Sequence, residues 1–247
     1  MEEFLDLKKK FKVIHDMGKI KSLRKGTTGI GYTFETLLGK KEDQSPVPDY
    51  KGIEIKCRSG LSKYDLGLFT CNPKRNDIVA TTYIFQKYSY HLYENPNLYR
   101  VFSRKLYADY KYELYNYSFK LNVNYLEEKI YLESYYKNEF CEKVCFWNFE
   151  DLRNILCNKL NKMAVVTGYS YKEDGEIYYK YYSIKFYVFK NFDTFIKLIE
   201  RGKIYIVSYL REDVNKLGDY KILNRGFSFR IKINNVEDLF YRVVVRD

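Results

Sequence analysis

Histidine is almost missing: the chain of 247 residues has only His15 and His91. That scarcity excludes His-rich zinc sites and argues against nuclease chemistry built on histidine-bound metal. A Ser-His-Asp arrangement would have to use one of the two, and neither lies in a nucleophile motif. Cysteines number five, with no C-x-x-C pair. They are expected as reduced thiols of a cytoplasmic protein, mostly buried as small apolar groups. No apolar run approaches the roughly 20 residues that span a bilayer, and Met1-Glu2-Glu3-Phe4-Leu5 is acidic before it is apolar, unlike a signal peptide. No membrane partner is expected. Repeats, low-complexity tracts and clear linkers are also lacking.

What remains is a globular composition, 46% apolar and 30% charged, in a chain long enough for one large domain or two small lobes. Lys and Arg total 43 against 32 Asp and Glu, a net charge of +11 that points to a polyanionic partner. If the protein is an enzyme, carboxylates and lysines are left to carry the chemistry. The 28 tyrosines read as amphipathic rings in strands, with base stacking the sharper alternative for a few of them.

Phe4, Leu7, Phe11 and Ile14 recur at helical spacing and predict an amphipathic helix over 3–17. The basic, Gly/Thr-rich stretch Lys19–Gly31 reads as a loop; no Gly-Lys-Ser/Thr follows its glycines, so it is no nucleotide cradle. A short helix with Phe34, Leu37 and Leu38 on one face stops at Gly39. Residues 40–52 form a polar turn region. Strands are expected at 53–57 and 66–71, and a helix at 77–88. Hairpins are expected at 117–123 with 129–135 and at 163–171 with 177–189, the second turning at Glu173-Asp174-Gly175. Helices follow Asn148 and span 192–199; strands occupy 203–210, 227–233 and 242–245. The reading is α/β in the α+β sense, with a mixed central sheet flanked by helices.

The informative segment is Pro48-Asp49-Tyr50-Lys51-Gly52-Ile53-Glu54-Ile55-Lys56. On a strand, Ile53, Ile55 and Cys57 share one face and Glu54, Lys56 and Arg58 the other. The apolar face anchors the strand while the other presents a carboxylate beside an ammonium. A tight bend at Tyr50-Lys51-Gly52 can return the Asp49 carboxylate to Glu54. Two carboxylates and a backbone carbonyl, that of Ile55, make a hard-oxygen site suited to Mg²⁺. The lysine can orient water and stabilise charge on a phosphate. An ordinary solvated strand face with a weak ion pair is the competing reading; Glu127-Glu128-Lys129 shows how readily Glu-x-Lys arises. Glu35, on the helix after Gly31, is a third carboxylate, or else a solvent-facing helix residue.

The combination Gly29-x-Gly31-x-x-Phe34-Glu35-x-Leu37-Leu38-Gly39 followed by Pro48-Asp49-x-x-Gly52-Ile53-Glu54-Ile55-Lys56 resembles the MvaI/BcnI family of type II restriction endonucleases. More distantly it resembles the MutH mismatch-repair nickase. Arg24–Gly31 favours the first, and weaker similarity continues around Gly226–Ile231. The resemblance implies a PD-(D/E)xK fold, bilobal around a DNA cleft, acting on double-stranded DNA with Mg²⁺. It implies Asp49 and Glu54 as metal ligands, Lys56 as the residue that positions or activates water, and Glu35 as an accessory carboxylate. It also implies a monomer and a separately encoded DNA methyltransferase protecting the host. The whole chain is expected as one endonuclease domain, its catalytic lobe mainly in 1–110 and its recognition lobe mainly in 111–247.

Affinity for duplex DNA comes from phosphate contacts and specificity from base edges. Lys21, Arg24 and Lys25 are candidates to grip the backbone. Arg211, Arg225 and Arg230 are candidate base readers, with Tyr209 a possible stacker. Ile206, Val207 and Ser208 depart from the family, where acidic and basic readers are expected. Two other functions stay open at this point: a MutH-like nickase and a non-catalytic nucleic-acid-binding protein. A generic phosphatase-like metal hydrolase is a further one.

Overall fold

The spacing of Phe4, Leu7, Phe11 and Ile14 produces the expected helix, α1 (Glu2–Asp16), with all four side chains buried. The computed structural model describes residues 1–40, 47–60, 65–91, 100–114, 116–214 and 220–246, so 41–46 of the expected 40–52 turn lie outside the described residues. After α1 come β1 (Ile20–Lys21), α2 (Gly29–Leu37), β2 (Glu54–Ser59), β3 (Leu66–Thr70), α3 (Ala80–Tyr88), β4 (Tyr90–His91) and β5 (Arg100–Leu106). Then follow β6 (Tyr112–Leu114), β7 (Tyr117–Asn124), β8 (Lys129–Tyr136), β9 (Glu139–Asn148), α4 (Phe149–Lys159), β10 (Lys162–Glu173) and β11 (Glu176–Phe189). The chain ends with α5 (Phe192–Glu200), β12 (Ile204–Val214), β13 (Tyr220–Ile231), α6 (Val236–Leu239) and β14 (Phe240–Val243). The architecture is α+β.

Two compact units are interleaved along the chain. The first takes Met1–Tyr64, Asn154–Asn191 and Val236–Asp247; the second takes Asp65–Arg153 and Phe192–Asn235. The lobe boundary expected near residue 110 falls inside the second unit.

The first unit holds the mixed sheet, in the order β1-β11-β10-β2 with β14 also paired to β11. Only the β2–β10 pairing is parallel. Ile53, Ile55, Ala164, Val166, Tyr181 and Phe186 pack with the buried face of α1 and with Phe34 of α2 in one apolar cluster. Strand alternation therefore points Glu54, Lys56 and Arg58 away from that core.

The second unit contains two sheets, β3-β13-β12-β5-β4 and β6-β7-β8-β9, antiparallel throughout. Trp147 is buried against Phe227 and Phe229, edge-on to both rings. Its indole N–H donates to the Cys71 carbonyl at 2.9 Å, so the polar end of the ring is satisfied as well.

Several local expectations need correction. The stretch 19–31 is not all loop: Ile20 and Lys21 pair with β11, and α2 already begins at Gly29. Helix α3 begins at Ala80, not Asp77; the Asp77 carboxylate is held by Arg75 at 2.7 Å and by the Ile78 N–H at 3.0 Å, a turn that precedes the helix. Strand β9, for which no element was expected, pairs with β8 through two register shifts that interrupt its period-2 alternation. The five cysteines are free but not mostly buried: only Cys145 is, while Cys141 and Cys157 are exposed. Among the described residues no helix is long and apolar enough to cross a membrane.

Phe34 is completely buried between α1 and the sheet. Phe34→Ala is expected to cost about 3–5 kcal/mol, measured as a lower urea midpoint with an unchanged slope.

Candidate active site

The bend before β2 does what the sequence demanded of it. Tyr50 and Ile53 bond to each other in both directions, at 3.0 and 2.8 Å, across Lys51 and Gly52. Both central residues have positive φ, +45° at Lys51 and +80° at Gly52, so a two-residue turn of the hairpin type reverses the chain. Glycine takes that conformation freely, whereas Lys51 does so against its preference. The Lys51 ammonium bonds to Asp6 at 2.7 Å, and the Tyr50 hydroxyl donates to the same carboxylate at 2.7 Å. The turn is thus tied to α1. Its result is that Asp49 Oδ2 accepts the backbone N–H of Ile55 at 2.8 Å, which fixes Asp49 beside β2.

Glu54 is 3% exposed, a burial rare for a carboxylate. Lys56 Nζ donates to Glu54 Oε1 at 2.7 Å, and Lys159 Nζ lies 3.6 Å from the same oxygen. Glu54 Oε2 is buried without a partner. Burial pushes the Glu54 carboxyl above its ordinary range, the Lys56 charge opposes this, and the Asp49 charge adds to it. Lys40 forms an ion pair with Asp49 Oδ1. The sequence reading missed Lys40 and Lys159. Lys40 follows the Gly39 stop as one lysine among many, and Lys159 lies a hundred residues away, at the end of α4.

Glu35 completes the group. Burial, then the Asp49 charge, pushes its carboxyl up to about 7, against the pull of Lys40. Glu54 raises it further and Lys56 lowers it, so Glu35, Asp49, Glu54 and Lys56 share one electrostatic field. A Cβ on Gly31 would stand 3.6 Å from Glu35 Oε1 and 3.9 Å from Cys57 Cβ, ordinary contact distances, so α2 lies beside β2 here without requiring the glycine. Gly29 is required: a Cβ there would come within 2.6 Å of the Arg24 carbonyl oxygen.

Among the described residues no three His, Cys, Asp or Glu side chains form a metal cage by themselves. The set offered is smaller: two carboxylates and a strand carbonyl, leaving the rest of a coordination shell to water and phosphate, as Mg²⁺ commonly requires. The unpartnered Glu54 Oε2 fits such a cation, because a buried acceptor without a donor costs about 1–3 kcal/mol that a ligand can recover.

The remaining candidates fall into two groups. In the first unit, Lys21 is paired with Glu176 at 3.2 Å. The Arg24 guanidinium lies 3.9 Å over the Tyr32 ring, and Lys25 is exposed. In the second unit, Tyr209 and Arg211 alternate with buried Ser208 and Leu210 on β12 and so share a face. Arg230 joins that face opposite Tyr205, and the Arg225 guanidinium stands 5.4 Å from the Tyr209 ring.

Glu35 gives a test that needs no substrate. Its carboxyl moves from the ordinary 4.5 to about 7 on folding. Between those pH values the folded protein holds a proton that the unfolded chain has released, so this contribution is fully present below about 4.5 and is lost as pH rises toward 7. In metal-free buffer, Glu35→Gln is expected to flatten the decline in melting temperature across that window. Parallel curves for both proteins would refute the shift.

The family pattern described as the MvaI/BcnI restriction endonuclease family matches residues 8–240. A solved complex of the restriction endonuclease MvaI with its cognate DNA substrate is 29% identical, with a TM-score of 0.86 over 99% of each chain. MvaI in the absence of DNA is 27% identical, covering 100% of this chain and 98% of that one, with a TM-score of 0.62. No curated protein sequence matches. With the glycines, the turn and the acidic cluster on one scaffold, and with the family pattern spanning nearly the whole chain, the protein belongs to the MvaI/BcnI restriction endonuclease family, and is a type II site-specific deoxyribonuclease.

Proposed function

We infer that the group around β2 is the catalytic centre of this endonuclease and that it hydrolyses phosphodiesters of double-stranded DNA with Mg²⁺. The family is generally dependent on a divalent metal. One observation carries the residue assignment: Glu54 is buried with an oxygen unsatisfied, beside Asp49 and bonded to Lys56. A solvated strand face would leave that carboxylate in water.

Asp49, Glu54 and the Ile55 carbonyl would hold the metal. Bound there, Mg²⁺ supplies a Lewis acid that makes water more acidic and offsets charge on phosphoryl oxygens. The chain's own groups do the rest. Asp49 is aimed by the Ile55 N–H, so its carboxylate needs little reorganisation on binding. Lys56, as the ammonium paired to Glu54, donates hydrogen bonds that orient the attacking water and stabilise negative charge on the phosphate. As the water oxygen bonds to phosphorus, one ester P–O bond breaks. Glu35, with its raised affinity for protons, acts as the accessory carboxylate of this centre.

The first unit is then the catalytic lobe and the second the recognition lobe. The MvaI complex with cognate DNA supports duplex DNA as the partner. Lys21, Arg24 and Lys25 would grip phosphates near the scissile bond; Arg211, Arg225 and Arg230, with Tyr209, would read bases from the β12–β13 face. The enzyme works as a monomer in the cytoplasm, with a separately encoded methyltransferase protecting host DNA.

Unmethylated phage DNA with Mg²⁺ should give discrete fragments, and chelation should abolish them. Asp49→Ala and Lys56→Ala should each lower the cleavage rate by a factor on the order of 10²–10⁴ while melting cooperatively. Intact DNA after incubation with the wild type would overturn the reading; nicked plasmid without linear product would point to a nickase.

A further inference from the structure

The polar face of the first unit's sheet does not stop at Lys56. Arg58 is next on the same face of β2, opposite Thr167 of the parallel neighbour β10. One bulge further, between Thr167 and Gly168, the rings of Tyr169 and Tyr182 stack with centroids 4.4 Å apart. They are 41% and 36% exposed, whereas Tyr179 and Tyr181, on the opposite face, are buried in the core. Exposed Lys180 pairs with Tyr169 across the β10–β11 hairpin. Arg58 is close enough to favour the phenolate of Tyr182.

The ring of Tyr182 has a prepared position. A Cβ on Gly60, just past the end of β2, would fall 2.2 Å from the Tyr182 hydroxyl oxygen and 3.2 Å from its ring. Glycine there lets the ring lie over the strand end. Packing does not explain a stacked aromatic pair half in water, flanked by cations, in line with Glu54 and Lys56.

We propose that Arg58, Tyr169, Tyr182 and Lys180 form a seat for the sugar–phosphate backbone of duplex DNA flanking the scissile phosphate. The inference rests on the catalytic reading of Glu54 and Lys56. Two residues along a strand advance about 6.6 Å, close to the rise of two nucleotides along one DNA strand, about 3.4 Å each. Arg58 thus meets phosphate a short step from the bond held at Lys56. The Tyr169–Tyr182 pair gives deoxyribose a flat apolar wall at low entropy cost, and Lys180 supplies charge beside it.

Steady-state cleavage of a duplex carrying the target site tests this. Tyr169→Ala and Tyr182→Ala should each raise KM about tenfold with kcat nearly unchanged. Tyr182→Phe should raise KM less than Tyr182→Ala does, since the ring makes the wall. Arg58→Ala should raise KM and reduce the salt dependence of binding by about one counterion. A second measurement uses the unaltered protein: tyrosine nitration mapped by mass spectrometry, with duplex present and absent. Protection of Tyr169 and Tyr182 by duplex is expected. Unchanged KM in both alanine variants, or equal nitration of both rings with and without DNA, would overturn the seat. Those results from an enzyme that cuts DNA leave the catalytic assignment standing; a wild type that cuts nothing removes that assignment instead, and the nitration result still decides the seat.

Discussion

Three carboxylates are held together against their mutual repulsion, and the rest of the first unit is arranged around that fact. Burial and the neighbouring negative charges drive Glu35 and Glu54 toward their protonated forms. Two of the three acids are tied down separately: Asp49 by a backbone N–H and Lys40, Glu54 by Lys56 and Lys159. Even so, one oxygen of Glu54 is left without a partner. A fold selected for stability alone would replace such a group with an apolar one of similar size. Keeping it is intelligible if a cation belongs there, and the family to which the chain belongs is generally metal-dependent.

The sheet makes this possible by division of labour between its faces. Alternation along β2, β10 and β11 sends Ile53, Ile55, Ala164, Val166 and Phe186 into the packing with α1 and α2. That packing fixes the strands, and the opposite face inherits their rigidity. Glu54, Lys56, Arg58 and the Tyr169–Tyr182 pair are therefore carried on strands that α1 and α2 hold from behind. The turn at Lys51-Gly52, anchored to Asp6, sets the register between Asp49 and Ile55; a shift of one residue would turn Glu54 into the core.

Tyrosine has mostly structural work here. Tyr83 and Tyr88 donate to Glu142, Tyr131 donates to Glu127, and Tyr181 donates to the Ile30 carbonyl at 2.7 Å. Each packs its ring against the protein while its hydroxyl reaches a nearby acceptor. The exposed pair at Tyr169 and Tyr182 stands out against that background, since its rings stack on each other in solvent. Composition had signalled tyrosine-rich strands, and only the packing separates wall from filler.

That Glu35, Asp49, Glu54 and Lys56 come together was readable in order along the chain because their spacing is local. Five positions and a glycine turn join Asp49 to Glu54, alternation joins Glu54 to Lys56, and a short helix delivers Glu35. The helices and hairpins with strong periodicity were legible for the same reason. What the linear order hides is long-range. Lys159 reaches Glu54 only because α4 leads into β10, which lies parallel to β2. The double register shift lies in the pairing of β9 with β8, and the two units are assembled from separated segments. The depth of Glu54, which turns a common Glu-x-Lys pattern into a site, depends on what is packed around it, and desolvation is a property of neighbours in space.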